Sequence, residues 1–428
     1  MSGNDDLLKR RKKFLGTGSP LFYKTPLNLV KGKGVWLYDE KGNRYLDVYN
    51  NVPHVGHCHP QVVSALTEQA STLNVHSRYL HVNIVNYAER LLATFDQSLN
   101  KVIFACTGSE ANEIALRMTR NHTGGKGIIV SDYAYHGNTT AVAELGTAFM
   151  PDAKNLKHIR TIPAPDSYRN PNKLTENELA NFYANAVRAE IDYFNKNNIK
   201  FAGMLICPDW ANEGLVNVPG NYMQQTLKLV HDAGGLFIAD EVQAGFGRSG
   251  RSMWAHQLYK DFVPDIVTMG KPMGNGHPLS GVVARGDLVE EFGNNAMYFN
   301  TTGGTPVSMA VGLAVLDVIE KEKLMQNAID VGLYIARGLS QLQNKYELIG
   351  DVRSLGLFFA VELVKNRKTK EPALIEGTEI VELMKSNGIL ISVIGKNNNI
   401  LKMRPPMCFS KDNADLLLSE LDKAFSNL

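Results

Sequence analysis

The sequence predicts an α/β protein whose central region holds a mostly parallel sheet covered by helices. Three observations predict it. From about residue 66 to 310, short apolar runs alternate with longer stretches of helical spacing. Those runs are largely continuous in apolar character, as in strands buried on both faces. The flanking regions, 1–65 and 311–428, carry shorter strand-like pieces of a different rhythm, giving an N-terminal segment, a large central domain and a smaller α+β C-terminal domain.

The elements follow in order. Residues 34–38 and 44–48 read as strands joined by the turn Asp39-Glu40-Lys41-Gly42-Asn43. The central strands are expected at 101–106, 127–130, 201–207, 235–242 and 265–269, each a buried run between helical stretches. A long helix is expected over 310–320, and further strands at 356–363 and 400–403. Open parallel sheets bind ligands at the carboxyl ends of their strands, so the site is sought there.

Composition narrows the function classes. Of 428 residues, 44% are hydrophobic and 21% charged, which suits a folded core and argues against disorder. The 45 Lys and Arg against 43 Asp and Glu leave a net charge of +2, too small a field to indicate nucleic-acid or membrane-surface binding. The basic run Lys9-Arg10-Arg11-Lys12-Lys13 reads as a solvated helix. Four scattered cysteines, Cys58, Cys106, Cys207 and Cys408, fit a reducing, cytoplasmic setting rather than a disulfide framework. The start Met1-Ser2-Gly3-Asn4-Asp5-Asp6 has no apolar core of a secretory signal. No apolar run approaches the ~18 residues that a membrane-crossing helix needs.

Four strand ends carry chemistry. Phe104-Ala105-Cys106-Thr107-Gly108-Ser109-Glu110-Ala111-Asn112 passes from strand straight into helix, and free N–H groups at such a start bind anions. Taken alone it is equally a helix cap without a ligand. In Ala239-Asp240-Glu241-Val242-Gln243, strand alternation sends Asp240 and Val242 to one face and Glu241 to the other. A carboxylate there needs a cationic or hydrogen-bonding partner, either a protein group or a protonated ring nitrogen. Thr268-Met269-Gly270-Lys271 delivers a lysine amine, able to condense with a carbonyl cofactor. Tyr135-His136-Gly137 offers an aromatic face, although core packing explains a lone tyrosine equally well. Together the four describe one ligand: pyridoxal 5′-phosphate, with an anion, a ring nitrogen, a flat ring and an aldehyde.

The segments Thr107–Asn112, Tyr135–Gly137, Ala239–Gln243, Gly270–Lys271 and Thr301-Thr302-Gly303-Gly304-Thr305-Pro306, with Lys271 31 positions after Asp240, resemble the class III aminotransferases of fold type I. That resemblance implies a large domain with a mostly parallel seven-stranded sheet and a small domain built from both chain ends. It implies Lys271 as the Schiff-base lysine, Asp240 on the pyridine nitrogen, and Val242 and Tyr135 on opposite ring faces, with His136 beside Tyr135. It also implies Gln243 near the ring oxygen, Gly108 and Ser109 on the phosphate, and Thr301 reaching the phosphate of a neighbouring subunit in a homodimer, or a tetramer built from dimers. Phe22, Tyr49, Val52 and Tyr79 are expected along the substrate pocket.

Within the family, the segments 49–60, 77–81 and 399–409 look closest to alanine–glyoxylate aminotransferase 2 and to the phospho-lyases acting on phosphoethanolamine and phosphohydroxylysine. Arg404 falls where family aminotransferases hold a substrate carboxylate, and the lyases more often carry lysine there, so the resemblance favours transfer of an amino group to an acceptor such as pyruvate or glyoxylate. Phosphate and ammonia elimination is the alternative. One departure stands out: the segment Pro208-Asp209-Trp210-Ala211-Asn212-Glu213-Gly214 displaces by one, or replaces with Asn212, the glutamate that normally receives this arginine.

Two rivals are weaker. Gly245-Phe246-Gly247-Arg248-Ser249-Gly250 matches a dinucleotide fingerprint but sits deep in the chain, with no strand-borne acid at the required distance. His54, His57, Cys58 and His59 have no second cluster with which to complete a metal site.

Overall fold

The computed structural model describes residues 3–150, 152 and 155–428, so Met1 and Ser2 of the N-terminal reading lie outside the described residues. The chain opens with a helix, Gly3–Leu15, that leaves Lys9, Arg10, Lys12 and Lys13 in solvent. Three short strands follow, β1 (Leu29–Lys33), β2 (Trp36–Asp39) and β3 (Arg44–Asp47), paired in an antiparallel meander. The turn between β2 and β3 is held by Asp39, whose carboxylate accepts the Lys41 and Asn43 amides at 3.0 and 2.9 Å.

The central sheet has seven strands. In chain order they are β4 (Leu99–Ala105), β5 (Gly127–Ser131), β6 (Ile159–Ile162), β7 (Phe201–Ile206), β8 (Leu236–Asp240), β9 (Ile266–Met269) and β10 (Ser280–Arg285). Their spatial order is β4-β10-β9-β8-β7-β5-β6. Only β10 runs against its neighbours, antiparallel to both β4 and β9. Strands β5, β7 and β8 are buried at every residue, which explains their near-continuous apolar sequence. Sequence reading located β4, β5, β7, β8 and β9, but placed the end of β8 two residues late and did not identify β6 or β10.

The last part of the chain adds β11 (Ile349–Ser354), β12 (Phe359–Asn366), β13 (Glu371–Pro372), β14 (Ile389–Leu390), β15 (Ser392–Ile394) and β16 (Ile400–Met403). Most of these form one sheet ordered β11-β12-β16-β15, while β14 pairs in parallel with β3. The N-terminal segment is thereby tied to the C-terminal one. The helix expected from 310 begins earlier, at Pro306, and runs to Lys321 with Thr305 as its cap. Residue 311 therefore lies inside a continuous helix.

Arg248, in the loop after β8, joins these parts. It is fully buried, donates to the carbonyls of Leu357 and Pro405 at 2.9 Å each, and meets His54 Nδ1 at 3.2 Å. The glycine-rich segment around Arg248 is thus a buried connector, not a loop opening a helix beneath a dinucleotide. Each histidine of the 54–59 group has its own partner: His54 the Phe246 carbonyl, His57 Asp47, and His59 Glu322. No helix among the described residues is long and apolar enough to cross a membrane.

Candidate active site

Because β5, β7, β8 and β9 are parallel neighbours or near neighbours, their carboxyl ends open on the same edge. β4 runs in the same direction, paired with the antiparallel β10 that returns from that edge, and delivers the start of the helix Gly108–Thr123 to it. Thr107 caps this helix, accepting the Glu110 amide at 3.2 Å, while the Glu110 carboxylate accepts the amides of Cys106 and Thr107 at 3.0 and 2.9 Å. The next N–H groups, those of Gly108 and Ser109, belong to the first turn, where a helix has no carbonyl of its own to offer them. Both residues line the cavity at the sheet edge.

Glycine is required on two sides of this cup. A side chain at Gly108 would place its Cβ 2.9 Å from Val242 Cγ1. At Gly137, with φ +149°, a Cβ would fall 2.6 Å from Ser109 Oγ. Ser109 Oγ accepts the Asn138 amide at 3.1 Å, so the loop after β5 closes directly over the helix start.

Asp240 ends β8 and is only 4% exposed. Its Oδ2 lies 2.7 Å from His136 Nδ1 and accepts from Asn112 Nδ2 at 3.0 Å, and its Oδ1 accepts the Val242 amide at 3.0 Å. Asn112 is fixed in turn, donating to the His136 carbonyl at 2.7 Å and accepting from Thr268 Oγ1 at 2.7 Å. Burial raises the Asp240 pKa, but the His136 bond and charge, the Val242 amide and the Lys271 charge outweigh it, leaving the pKa below the ordinary aspartate value. Asp240 is a carboxylate at any working pH. Glu241 points the other way, as strand alternation predicts, and binds His256 Nδ1 at 2.8 Å.

Lys271 leaves β9 through Gly270 with a backbone φ of +29°, a sparsely populated region for a residue with a side chain. Its strain is of the order of 1–3 kcal/mol, borne by the packed elements on either side. The side chain reaches the cavity and makes no hydrogen bond or ion pair among the described residues. Burial lowers the amine pKa, Asp240 opposes that, and Arg404 adds to it, so the net shift is downward. Tyr135 and Val242 line the same cavity, Tyr135 with its ring edge-on to Phe149 at 4.8 Å.

The far end of the site holds two buried basic side chains. Lys402, on β16, and Arg404, two residues on, share one strand face and are 3% and 4% exposed. Arg404 Nη1 donates to Gln243 Oε1, and Lys402 Nζ meets the same oxygen at 3.4 Å. Gln243 Nε2 donates to Asn212 Oδ1 at 3.3 Å, and Asn212 Nδ2 donates to the Tyr135 carbonyl at 3.4 Å. Both cations lie 5.6 Å from the Phe358 ring centroid, and Arg404 lies 5.3 Å from that of Tyr49. Glu213 is turned away and accepts from Ser131 Oγ.

The structure gathers Gly108, Ser109, Tyr135, His136, Asp240, Val242, Gln243 and Lys271 around one cavity, with Val52 at its rim. Arg404 and Lys402 are outside that lining and meet it through Gln243; Tyr49 lies beside Arg404, and the exposed Phe22 packs edge-on against Tyr49 at 5.2 Å. Tyr79 does not line this chain's cavity; it is exposed and stacked on His76 at 5.0 Å. Thr301 is also exposed and outside that lining. Sequence reading gave no role to Asn112, Cys207 or Lys402. The signal for Lys402 was present: a lysine within an otherwise apolar four-residue strand, in phase with Arg404.

These residues fit pyridoxal phosphate on structural grounds. Gly108 and Ser109 bring first-turn N–H groups to the cavity, Lys271 makes no hydrogen bond or ion pair among the described residues, and His136 Nε2 is buried without a partner among them. A carboxylate, a free amine and an anion-binding helix start around one cavity define a pyridoxal-phosphate enzyme. The aminotransferase class-III family model matches residues 21–425, and the chain belongs to that family. Pyridoxal phosphate is its cofactor.

Relatives of two kinds are close. The chain is 38% identical over 437 residues to "Ethanolamine-phosphate phospho-lyase homolog 1" of Caenorhabditis elegans, covering 99% of this chain and 93% of that protein. It is 38% identical over 429 residues to "Alanine--glyoxylate aminotransferase 2-like" of Drosophila melanogaster, covering 96% and 85%. Among solved structures, a phospholyase from Arthrobacter in complex with phosphoethanolamine matches with a TM-score of 0.96 and 43% identity, over 99% of this chain and 100% of that one.

Proposed function

We propose that this enzyme is a phospho-lyase for small amines bearing a phosphate ester on the carbon next to the amine-bearing one, of the phosphoethanolamine type. The observation that carries this reading is the buried pair Lys402 and Arg404, which has no carboxylate ion-pair partner among the described residues. Burial and the Arg404 charge push the Lys402 amine well down, and a phosphate dianion, with its second negative charge, would favour the protonated amine more than a carboxylate would. Arg404 Nε, buried and unpartnered, is a further donor for it. Glu213 bonds Ser131 rather than Arg404, which does not favour the arginine exchange of a transferase alternating between two substrates.

Bound pyridoxal phosphate supplies the carbonyl that takes the substrate amine and the ring that accepts the electron pair of the broken C–H bond. Asp240, ionised and held by His136 and Asn112, keeps a proton on the facing ring nitrogen. Lys271 removes the proton from the amine-bearing carbon. The C–O bond on the next carbon then breaks, and inorganic phosphate leaves toward Lys402 and Arg404. Addition of one water yields ammonia and a carbonyl compound, which balances the reaction.

The second reading is transfer of an amino group to pyruvate or glyoxylate. It is favoured by Arg404, whose fork suits a carboxylate, and by the aminotransferase-like relative. In either reading the enzyme is proposed to be a cytoplasmic homodimer in which Thr301 meets the partner's cofactor phosphate. The exposure of Thr301, Leu80 and Phe299 on one chain supports that arrangement.

Lys402→Met tests the first reading. Truncating one member of a buried charge pair costs about 2–5 kcal/mol, so KM for phosphoethanolamine is expected to rise by roughly a hundredfold or more. Phosphate release measured across substrate concentrations reads this, and an unchanged KM would remove Lys402 from the phosphate site.

A further inference from the structure

Beside the two cations lies an acid that the reaction above does not use. Asp209, on the segment after β7, is 4% exposed. Its one side-chain hydrogen bond comes from the Cys207 thiol, at 3.0 Å, and Cys207 itself lines the cavity. The other acids around the site are engaged: the buried Asp240 by His136 and Asn112, the buried Glu241 by His256 and the Ala255 amide, and the partly exposed Glu213 by Ser131 and the Asn212 amide. Asp209 has a weak donor and no ion pair, although three buried cations, Lys402, Arg404 and Arg248, act on it or are acted on by it.

The charged and titratable groups facing Asp209 are few. Cys207 and Glu213 lie on its own segment, Glu241 and Arg248 come from beyond β8, Tyr259 from the following turn, and Lys402 and Arg404 from β16 and the residue just past it. We propose that Asp209 is a positioning residue that sets the charge of the anion pocket: ionised, it weakens the hold of Lys402 and Arg404 on a dianion, and it takes up a proton when the dianion binds. This rests on the reading that those two cations hold the substrate phosphate. Burial holds the Asp209 carboxyl up to about 6, the Cys207 bond and the two cations pulling against it, so the exchange falls within the working range of pH. A pocket that weakens its grip above that pH retains less of the phosphate it has just released.

The test uses the cofactor-loaded enzyme and inorganic sulfate, whose charge does not change between about pH 5.5 and pH 8. Sulfate binding is measured by calorimetry across that range. For the unmodified enzyme, affinity is expected to be roughly tenfold higher at the acid end, the size of an ordinary coupling between two sites. Asp209→Asn is expected to bind tightly at both ends. Cys207→Ala, which deletes the only side-chain donor to the carboxylate among the described residues, is expected to move the midpoint to higher pH, and Cys207→Ser to restore it. Sulfate affinity that is flat with pH, absent sulfate binding, or an unaltered pH slope in Asp209→Asn would overturn the proposal. Should Asp209→Asn fail to fold, an unmoved midpoint in Cys207→Ala overturns it equally. The phospho-lyase reading fails separately, through absence of phosphate release, even where the sulfate linkage holds.

Discussion

Lys271→Ala enzyme is expected to retain pyridoxal phosphate yet lose turnover by roughly 10⁴-fold or more. Positioned proton transfer alone contributes about 10²–10⁴-fold, and in the proposed mechanism the same amine is also the covalent attachment point. Retention is expected because the cup is independent of Lys271: the first-turn N–H groups of Gly108 and Ser109, the Ser109 hydroxyl and Asp240 all remain. Among the described residues lining the cavity, no other lysine or arginine stands ready to replace it. Arg404 is engaged by Gln243, and Lys402 lies with it at the opposite end. The measurement is product formation together with the absorbance of the retained cofactor. Turnover near that of the unmodified enzyme would show that the reacting amine lies elsewhere.

Asp240→Asn is expected to lower kcat by roughly 10²–10³-fold, the loss found when a fixed charge aimed at a reacting system is removed. An amide is nearly the same size, so Asn112, Thr268 and the Val242 amide keep most of their geometry. On the proposed role, what disappears is the negative charge that keeps the ring nitrogen protonated. Because the Asp240 pKa is held below the usual carboxylate value, this charge is constant above that pH, and Asp240 itself produces no acid limb in the working range. A kcat for Asp240→Asn within a few-fold of the unmodified enzyme, measured with the cofactor saturating, contradicts the role.

Much of this site was legible because its chemistry sits at strand ends. Continuous apolar runs located β5, β7, β8 and β9, and the residues after them, Tyr135, Asp240 and Lys271, had to emerge at one edge of a parallel sheet. The two strands not identified each break that pattern. β6, Ile-Arg-Thr-Ile, is an edge strand whose alternate side chains are only partly buried, with Arg160 paired to Glu190. β10 follows a 3₁₀ turn rather than a helix and returns antiparallel between β4 and β9, so the strand-and-helix rhythm does not announce it.

The anion end was harder to read for a different reason. Arg404 was visible as a family position, but its partner was not, because Gln243 and Asn212 come from two different strand ends and meet only in the folded chain. Lys402 was passed over in the same strand. Its significance lies in being buried with Arg404 and without a carboxylate, a relation sequence spacing does not contain. The displaced glutamate, by contrast, was read from sequence as a departure, and its side chain is found on Ser131 rather than on the arginine.

The most direct test of the account mixes the purified, cofactor-loaded enzyme with phosphoethanolamine and no keto-acid acceptor, following phosphate, ammonia and the cofactor spectrum together. Phosphate and ammonia are expected in equal amounts over many turnovers, while the cofactor returns to its starting form. If no phosphate appears, and alanine instead converts the cofactor to its amine form until pyruvate restores it, the enzyme is a transaminase and the assignment of Lys402 and Arg404 to a phosphate dianion is wrong.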